Sequence, residues 1–284
     1  MSFQNFIPKI WNSVLLEEFR QKAIFAALTN SDYTGDAQVG NKVQITTALP
    51  VAIKDYQVTK GEGENAKKVR ETTPDEVETT SMDLLIDQEK VFDFLIDDID
   101  KRQAAGSVAT FARGAAWGLR DDADKWIAAQ IVAGAAEAHQ LTGNLTDNGK
   151  AVWNIVRDLR RKLNKAKVPT GDRVLVLNAE FEALILGFDS KLTAVELAAG
   201  SPNGLRDAYL GRVLGFEVYT SENLPETEKP QVAAFHKSAY AFVNQITKTE
   251  PMRAEKQFSD RLRGLNVYGG KTIRPEAIAT FTAN

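Results

Sequence analysis

Between residues 39 and 96 the chain alternates apolar and polar side chains, and no other feature restricts its possible folds as tightly. Val43, Ile45, Thr47 and Leu49 run outward with a period of two. On the return, Met82, Leu84, Ile86, Phe92, Phe94 and Ile96 all occupy even positions, interrupted by Gln88 and Lys90. A period of two sends successive side chains to opposite faces of an extended backbone, so the pattern predicts two long strands with one apolar face each. Between them, residues 59–81 (TKGEGENAKKVRETTPDEVETTS) are charged and almost free of aromatic side chains. Such a stretch cannot bury enough apolar area to fold by itself, which predicts a projecting, mobile tip. At about 3.3 Å per residue, a continuous return strand reaches on the order of 55 Å. A lone two-stranded ribbon is marginal in water, so an arm of that length needs a surface to lie on. Its own sheet or another copy of the same protein would serve.

Composition narrows the class of molecule. With 284 residues, 43% hydrophobic and 26% charged, the chain is an ordinary globular one, long enough for one elaborate domain or two small ones. Its 35 basic and 38 acidic side chains leave it slightly acidic, whereas a dedicated nucleic-acid binder carries a basic excess. There is no cysteine, which removes disulfides, thiolate catalysis and cysteine-based zinc sites and leaves stability to packing and association. No apolar run approaches the roughly 20 residues that cross a bilayer. The start, MSFQNFIPKIWNSV, lacks a basic region followed by an apolar core, so the chain is expected to be made and folded in the cytoplasm.

The remaining segments read in sequence order. Residues 8–28 set Trp11, Leu15 and Phe19 four apart behind Pro8, an amphipathic helix whose first turn tolerates proline. It docks on its own core or on a neighbouring subunit. Residues 101–136 contain no proline and carry Val108, Phe111, Ala115, Leu119, Ala123, Trp126 and Ile127 on one stripe, which predicts a helix of about 35 residues and about 50 Å. Gly106, Gly114 and Gly118 within it point to a bend or a close backbone approach. Residues 139–149 look like a polar linker and the clearest internal boundary. Beyond it come a helix with Trp153, Val156, Leu159 and Leu163, then a buried strand at 174–177. Asn178 is placed to cap a helix carrying Phe181, Leu184 and Ile185, and a loop-rich stretch follows. Strands recur at 213–219, 232–235, 240–243 and 265–268, the last turning at Gly269 and Gly270.

Catalytic patterns are sparse. Gly269, Gly270, Lys271 and Thr272 imitate the end of a phosphate-binding loop, but the required earlier glycine is Leu265, and Pro275 keeps Arg274 extended where a helix should begin. A two-glycine hairpin is the better reading. Asp97, Asp98 and Asp100, then Asp121, Asp122 and Asp124, offer oxygen ligands for a cation. They read instead as solvated carboxylates, the second group on an exposed helix turn. His139 falls in the linker and His236 at the tip of an expected hairpin, so neither sits in a catalytic frame. An oligomeric metal-dependent enzyme built on the aspartate clusters remains an alternative.

Several stretches carry a resemblance: Phe6, Ile7, Pro8 and Trp11; residues 96–100; GRVLGFEVYTSENLP at 211–225; and RGLNVYGGKTIRP at 263–275. Together, and in this order, they resemble the major capsid proteins of tailed bacteriophages. The resemblance implies an α+β, HK97-like capsid fold. Its parts would be an N-terminal arm (1–38), an extended E-loop hairpin (39–96), a P-domain with a long spine helix (97–139), a mixed α/β A-domain (150–248) and closing P-domain strands (249–284). It implies a structural virion subunit with no catalytic, cofactor or metal site, forming hexamers and pentamers of an icosahedral shell around double-stranded DNA without binding it specifically. It also implies assembly in the host cytoplasm with a separate scaffolding protein and a portal, and no membrane. Contacts between copies are expected at Trp11, Phe19, Lys60, Lys67, Lys68 and Arg70. An encapsulin-type nanocompartment shell has the same fold and is the runner-up, ahead of the metal-dependent enzyme.

Overall fold

A computed structural model describes residues 23–35, 40–48, 51–60, 67–70, 72, 74–98, 108–145, 149–186, 211–254 and 257–284. At its centre is a six-stranded sheet in the order β6-β13-β10-β7-β9-β8. These strands are Gln140–Gly143 (β6), Arg173–Leu177 (β7), Arg212–Val213 (β8), Phe216–Thr220 (β9), Gln231–His236 (β10) and Ile278–Ala283 (β13). β7 is a continuous run of buried residues because both faces of the sheet are covered. Leu175, Leu177, Val232, Ala234 and Phe281 meet one core, and Val174, Val176, Ala233, Phe235 and Ile278 meet the other. The first core is closed by two helices, α3 (Gly149–Lys165) and α4 (Ala179–Ile185). Val152, Val156, Leu159 and Leu163 form the fully buried stripe of α3. As predicted, Asn178 caps α4, its Oδ1 accepting from the Phe181 N–H at 3.1 Å.

The second core lies under α1 (Phe25–Leu28) and the long helix α2 (Val108–Ala133). At 1.5 Å per residue, the 26 residues of α2 span about 39 Å. The expected helix began at 101, and residues 99–107 lie outside the described ones. It was also expected to reach 136 but ends at Ala133, and the next residue, Gly134, packs closely against Thr272. A Cβ on Gly134 would stand 2.0 Å from Thr272 Oγ1.

The arm departs from the two-strand expectation. Strands β1 (Lys42–Ala48) and β4 (Thr79–Leu85) pair antiparallel, whereas β5 (Gln88–Asp97) joins a different sheet, in the order β11-β12-β5, with β11 (Tyr240–Arg253) and β12 (Ser259–Thr272). The return is therefore two strands in two sheets, broken at Ile86–Asp87. Even positions still point inward. Leu84 and Ile86 are buried with Val43, Ile45, Ala241, Val243 and Val267, so the β1/β4 ribbon lies on the base of the three-stranded sheet. Part of the expected tip is strand: β2 (Gln57–Lys60) and β3 (Lys67–Arg70) make a second small ribbon.

Three further expectations are corrected. Residues 140–143 are an edge strand, β6, parallel to β13, and not a linker; their partner lies 140 residues downstream, beyond the reach of a local pattern. Gly269 and Gly270 make no turn. They sit inside β12 opposite Val243 and Phe242, where a Cβ on Gly269 would lie 2.1 Å from Leu85 O and one on Gly270 2.5 Å from Tyr240 Oη. These glycines admit close neighbours, the first of them the chain crossing from β4 to β5. His236 ends β10, but a short 3-10 turn (Lys237–Ala239) then carries the chain into another sheet, so no hairpin forms there. The one tight hairpin read as a single strand is β8–β9, turned by Leu214 and Gly215 at φ 47° and 83°.

Candidate assembly surfaces

The arm exposes apolar side chains that the described residues leave largely open. Ile53 is fully exposed, and Val51, Tyr56 and Val77 keep 60–68% of their accessible surface. On the β2/β3 ribbon, Val58 stands opposite Val69, so both present to one face, and both are exposed. Lys54 and Asp75 form an ion pair between the two legs of the arm. An exposed apolar row on a ribbon that is marginal by itself marks a contact surface.

A second surface is the far end of the three-stranded sheet. Residues directly opposite one another in an antiparallel pair share a face. One such face carries Val91, Asp93 and Leu95 of β5, Leu265, Arg263 and Arg261 of β12, and Lys248, Glu250 and Met252 of β11. Val91 is 66% and Leu95 52% exposed. Ion pairs bind the strands: Arg261 to Asp93, and Arg263 to Glu250 at 2.7 Å. Hydrogen bonding to Arg261 holds the Asp93 carboxyl below its usual range, and Arg263 does the same for Glu250. On the reverse face Phe92 and Phe94 stack at 5.9 Å, and Phe92 covers Gly264, whose Cβ would fall 2.2 Å from its ring. Beyond the sheet, Phe258 between β11 and β12 is 82% exposed.

The body is pinned where α1, α2 and the loop after β9 meet. Asp124 is completely buried. Its Oδ1 accepts from the Phe25 N–H at 2.7 Å and the Ala26 N–H at 3.4 Å, and its Oδ2 from Asn223 Nδ2 at 3.0 Å. Burial pushes its carboxyl up, against the pull of Asn223 and the backbone donors. Asp121 takes a second bond from Asn223 Nδ2 at 3.0 Å and pairs with Lys125 at 2.7 Å, and Asp122 accepts from Tyr268 Oη at 3.0 Å. The expectation of a solvated turn at 121–124 fails for buried Asp124 and largely covered Asp121, while Asp122 stays about half exposed; together the three tie α2 to α1, the loop after β9, β12 and, through Lys90, β5. Asp98 is likewise engaged, forming an ion pair with Arg253, while Asp100 lies outside the described residues. Among the described residues, no group of three acidic or histidine side chains gathers as a cation site. His139 Nδ1 lies 3.2 Å from Ile278 O, and His236 Nδ1 accepts from the Ser238 N–H at 3.1 Å, so both rings serve local backbone.

A surface made of arms, exposed sheet and pinned joints has parallels. The profile of the family described as phage capsid protein matches residues 86–281. A structure from Mycobacterium phage Che8 is 39% identical over 99% of this chain and 98% of that one, with a TM-score of 0.85. The chain belongs to the phage capsid protein family. In fold the capsid protein is also similar to the capsid of cyanophage P-SCSP1u (TM-score 0.75, 15% identity, 100% of this chain and 95% of that one). It is similar as well to the mature capsid of bacteriophage PhiM1 (TM-score 0.72, 15% identity, 97% and 91%). No curated protein matches it.

The capsid protein is a structural subunit of an icosahedral phage capsid, not an enzyme, and it assembles into multimers as part of the virion. Among the described residues no helix is long and apolar enough to cross a membrane. Of the expected contact residues, Trp11 and Phe19 lie outside the described ones. The β2/β3 register sets Lys60 opposite Lys67, Lys68 opposite Thr59 and Arg70 opposite Gln57, which gathers four cations on one ribbon. Lys68 and Arg70 are exposed. Sequence reasoning overlooked Val51, Ile53 and Tyr56, three large apolar residues within six positions. It also overlooked Val91 and Leu95, whose signal is apolar residues at odd positions within VFDFLID.

Proposed function

We propose that the capsid protein closes into hexamers and pentamers around packaged double-stranded DNA, with the arm of each copy laid across its neighbour. The supporting observation is the row of exposed apolar side chains on the arm, above all Ile53, Tyr56 and Val77, which stay largely open among the described residues. Lys60, Lys67, Lys68 and Arg70 reach the same neighbour from the small ribbon, and Trp11 and Phe19 dock there from the N-terminal segment. The six-stranded sheet with α3 and α4 lines the capsomer axis as the A-domain, and α2 is the spine of the P-domain. Assembly takes place in the host cytoplasm with a separate scaffolding protein and a portal. The slight acidic excess fits a wall that encloses DNA without gripping it specifically.

Deleting residues 60–78 tests the clamp. The shortened subunit is expected to keep its far-UV spectrum and to lose particle formation in negative-stain images. Particles at normal yield would remove the arm from the contact.

A further inference from the structure

The outward face of α3 is basic in a chain that is acidic. The helix holds Lys150, Arg157, Arg160, Arg161, Lys162 and Lys165 against Asp158 alone, a local charge of +5 within a whole of −3. Lys162 is engaged within the fold, donating to Ala138 O at 2.5 Å. Arg157, Arg161 and Lys165 are exposed and recur every four residues, which sets them in one stripe about 12 Å long. Asp158, 3.7 Å from Arg157 and 3.4 Å from Arg161, offsets one charge of the stripe. Cations in a last turn suit the negative end of a helix. That accounts for Lys162 and Lys165, but not for Arg157 two turns earlier.

The opposite end of the same sheet is acidic. α3 leads into β7 through residues 166–172, so the stripe lies where the parallel strands β7 and β9 begin. Arg160 marks that end too, its guanidinium carbon 3.9 Å from where a Cβ on Gly215 would sit, just before β9. Where β7 and β9 finish, exposed Glu180 opens α4, and exposed Glu226 and Glu228 stand on the loop into β10 beside half-buried Glu222. Lys229 is the sole cation of that loop.

A body with opposite charge at its two ends favours head-to-tail contacts, and these close into rings when the rotation between copies permits. We propose that the Arg157, Arg161 and Lys165 stripe of one copy faces the Glu226 and Glu228 loop of the next copy around the capsomer axis. The inference rests on the ring arrangement proposed above and names the pairing within it. Such rim charges act chiefly on register and on the rejection of wrong orientations.

A charge swap in the full chain tests it. Arg157→Glu with Arg161→Glu leaves the buried side of α3 untouched, so the circular dichroism of the subunit stays at wild type. Capsomer yield by sedimentation velocity falls about tenfold or more, as like charges now oppose each other. Adding Glu226→Arg and Glu228→Arg restores it. Wild-type assembly that ignores both reversals overturns the pairing and leaves the shell reading standing, whereas a wild type that never multimerises overturns the shell reading itself. A loss that the loop reversal does not rescue also overturns the pairing. So do reversals that spare assembly but empty the particles of DNA, which would assign the stripe to phosphates.

Discussion

A methyl group at Gly269 has nowhere to go, because the Leu85 carbonyl and the Ile86 Cα of the crossing chain occupy its place, and both are backbone. Gly269→Ala is expected to cost about 3 kcal/mol or more, read from the urea midpoint of the unassembled subunit. Gly264→Ala meets only the ring of Phe92, which can swing aside, and should cost about 1 kcal/mol. Equal losses at the two sites would show that the crossing is looser than described. Beside Gly270, the Tyr240 hydroxyl is buried with no hydrogen-bond partner among the described residues, and burial raises its pKa. An orphaned polar atom costs about 1–3 kcal/mol, so Tyr240→Phe is expected to leave stability unchanged or raise it by up to about 1 kcal/mol. A clear loss in thermal denaturation would mean that the hydroxyl finds a partner in solution.

At the scale of elements, the three-stranded sheet has two regimes. Its base is clasped between α2 and the β1/β4 ribbon, while its far end depends on cross-strand ion pairs and on whatever covers Val91 and Leu95. The Asp93 and Glu250 carboxyls titrate below their ordinary values in the fold, so their stabilisation is complete above the unfolded carboxylate pKa of about 4 and disappears as pH falls through the folded value. Both groups are solvent-exposed and the effect is local. Amide exchange in residues 248–253 and 260–264, corrected for intrinsic rates, should therefore accelerate between pH 5 and about pH 3 more than exchange in β7 does. Asp93→Asn should remove part of that difference. No change in the ratio would mean that the pairs add nothing to the strand ends. Legibility also divided by element. The α3 stripe, the Asn178 cap and the apolar run of β7 were readable because each signal sits within a few residues of itself. The break between β4 and β5 was not, since both halves keep the same even-position phase and only their partners differ.

For the whole molecule, association is the missing part of the stability account. The arm and the far sheet leave Ile53, Tyr56, Val77, Val91 and Phe258 exposed to water in a lone subunit. Replacing Trp11 and Phe19 with serine is expected to reduce particle yield well beyond any loss of helicity in the dilute subunit. Light scattering and circular dichroism on the same sample would check this, and parallel losses would place that segment in the subunit's own core. The fold class was legible in advance through the resemblance to tailed-phage capsid proteins that stretches such as 211–225 and 263–275 carry. Much of the candidate assembly surface was not, because exposure is a property of what fails to pack.

Local chemistry along the chain was enough to set the extended arm strands, the buried run of β7, the stripe of α3 and the Asn178 cap. Only the folded arrangement decided that β6 pairs with β13, that Gly269 makes room for a crossing strand and that Asp124 is a buried pin. Each of these depends on a partner about a hundred residues or more away, and the free energy of such a contact exists only once the chain has brought both sides together.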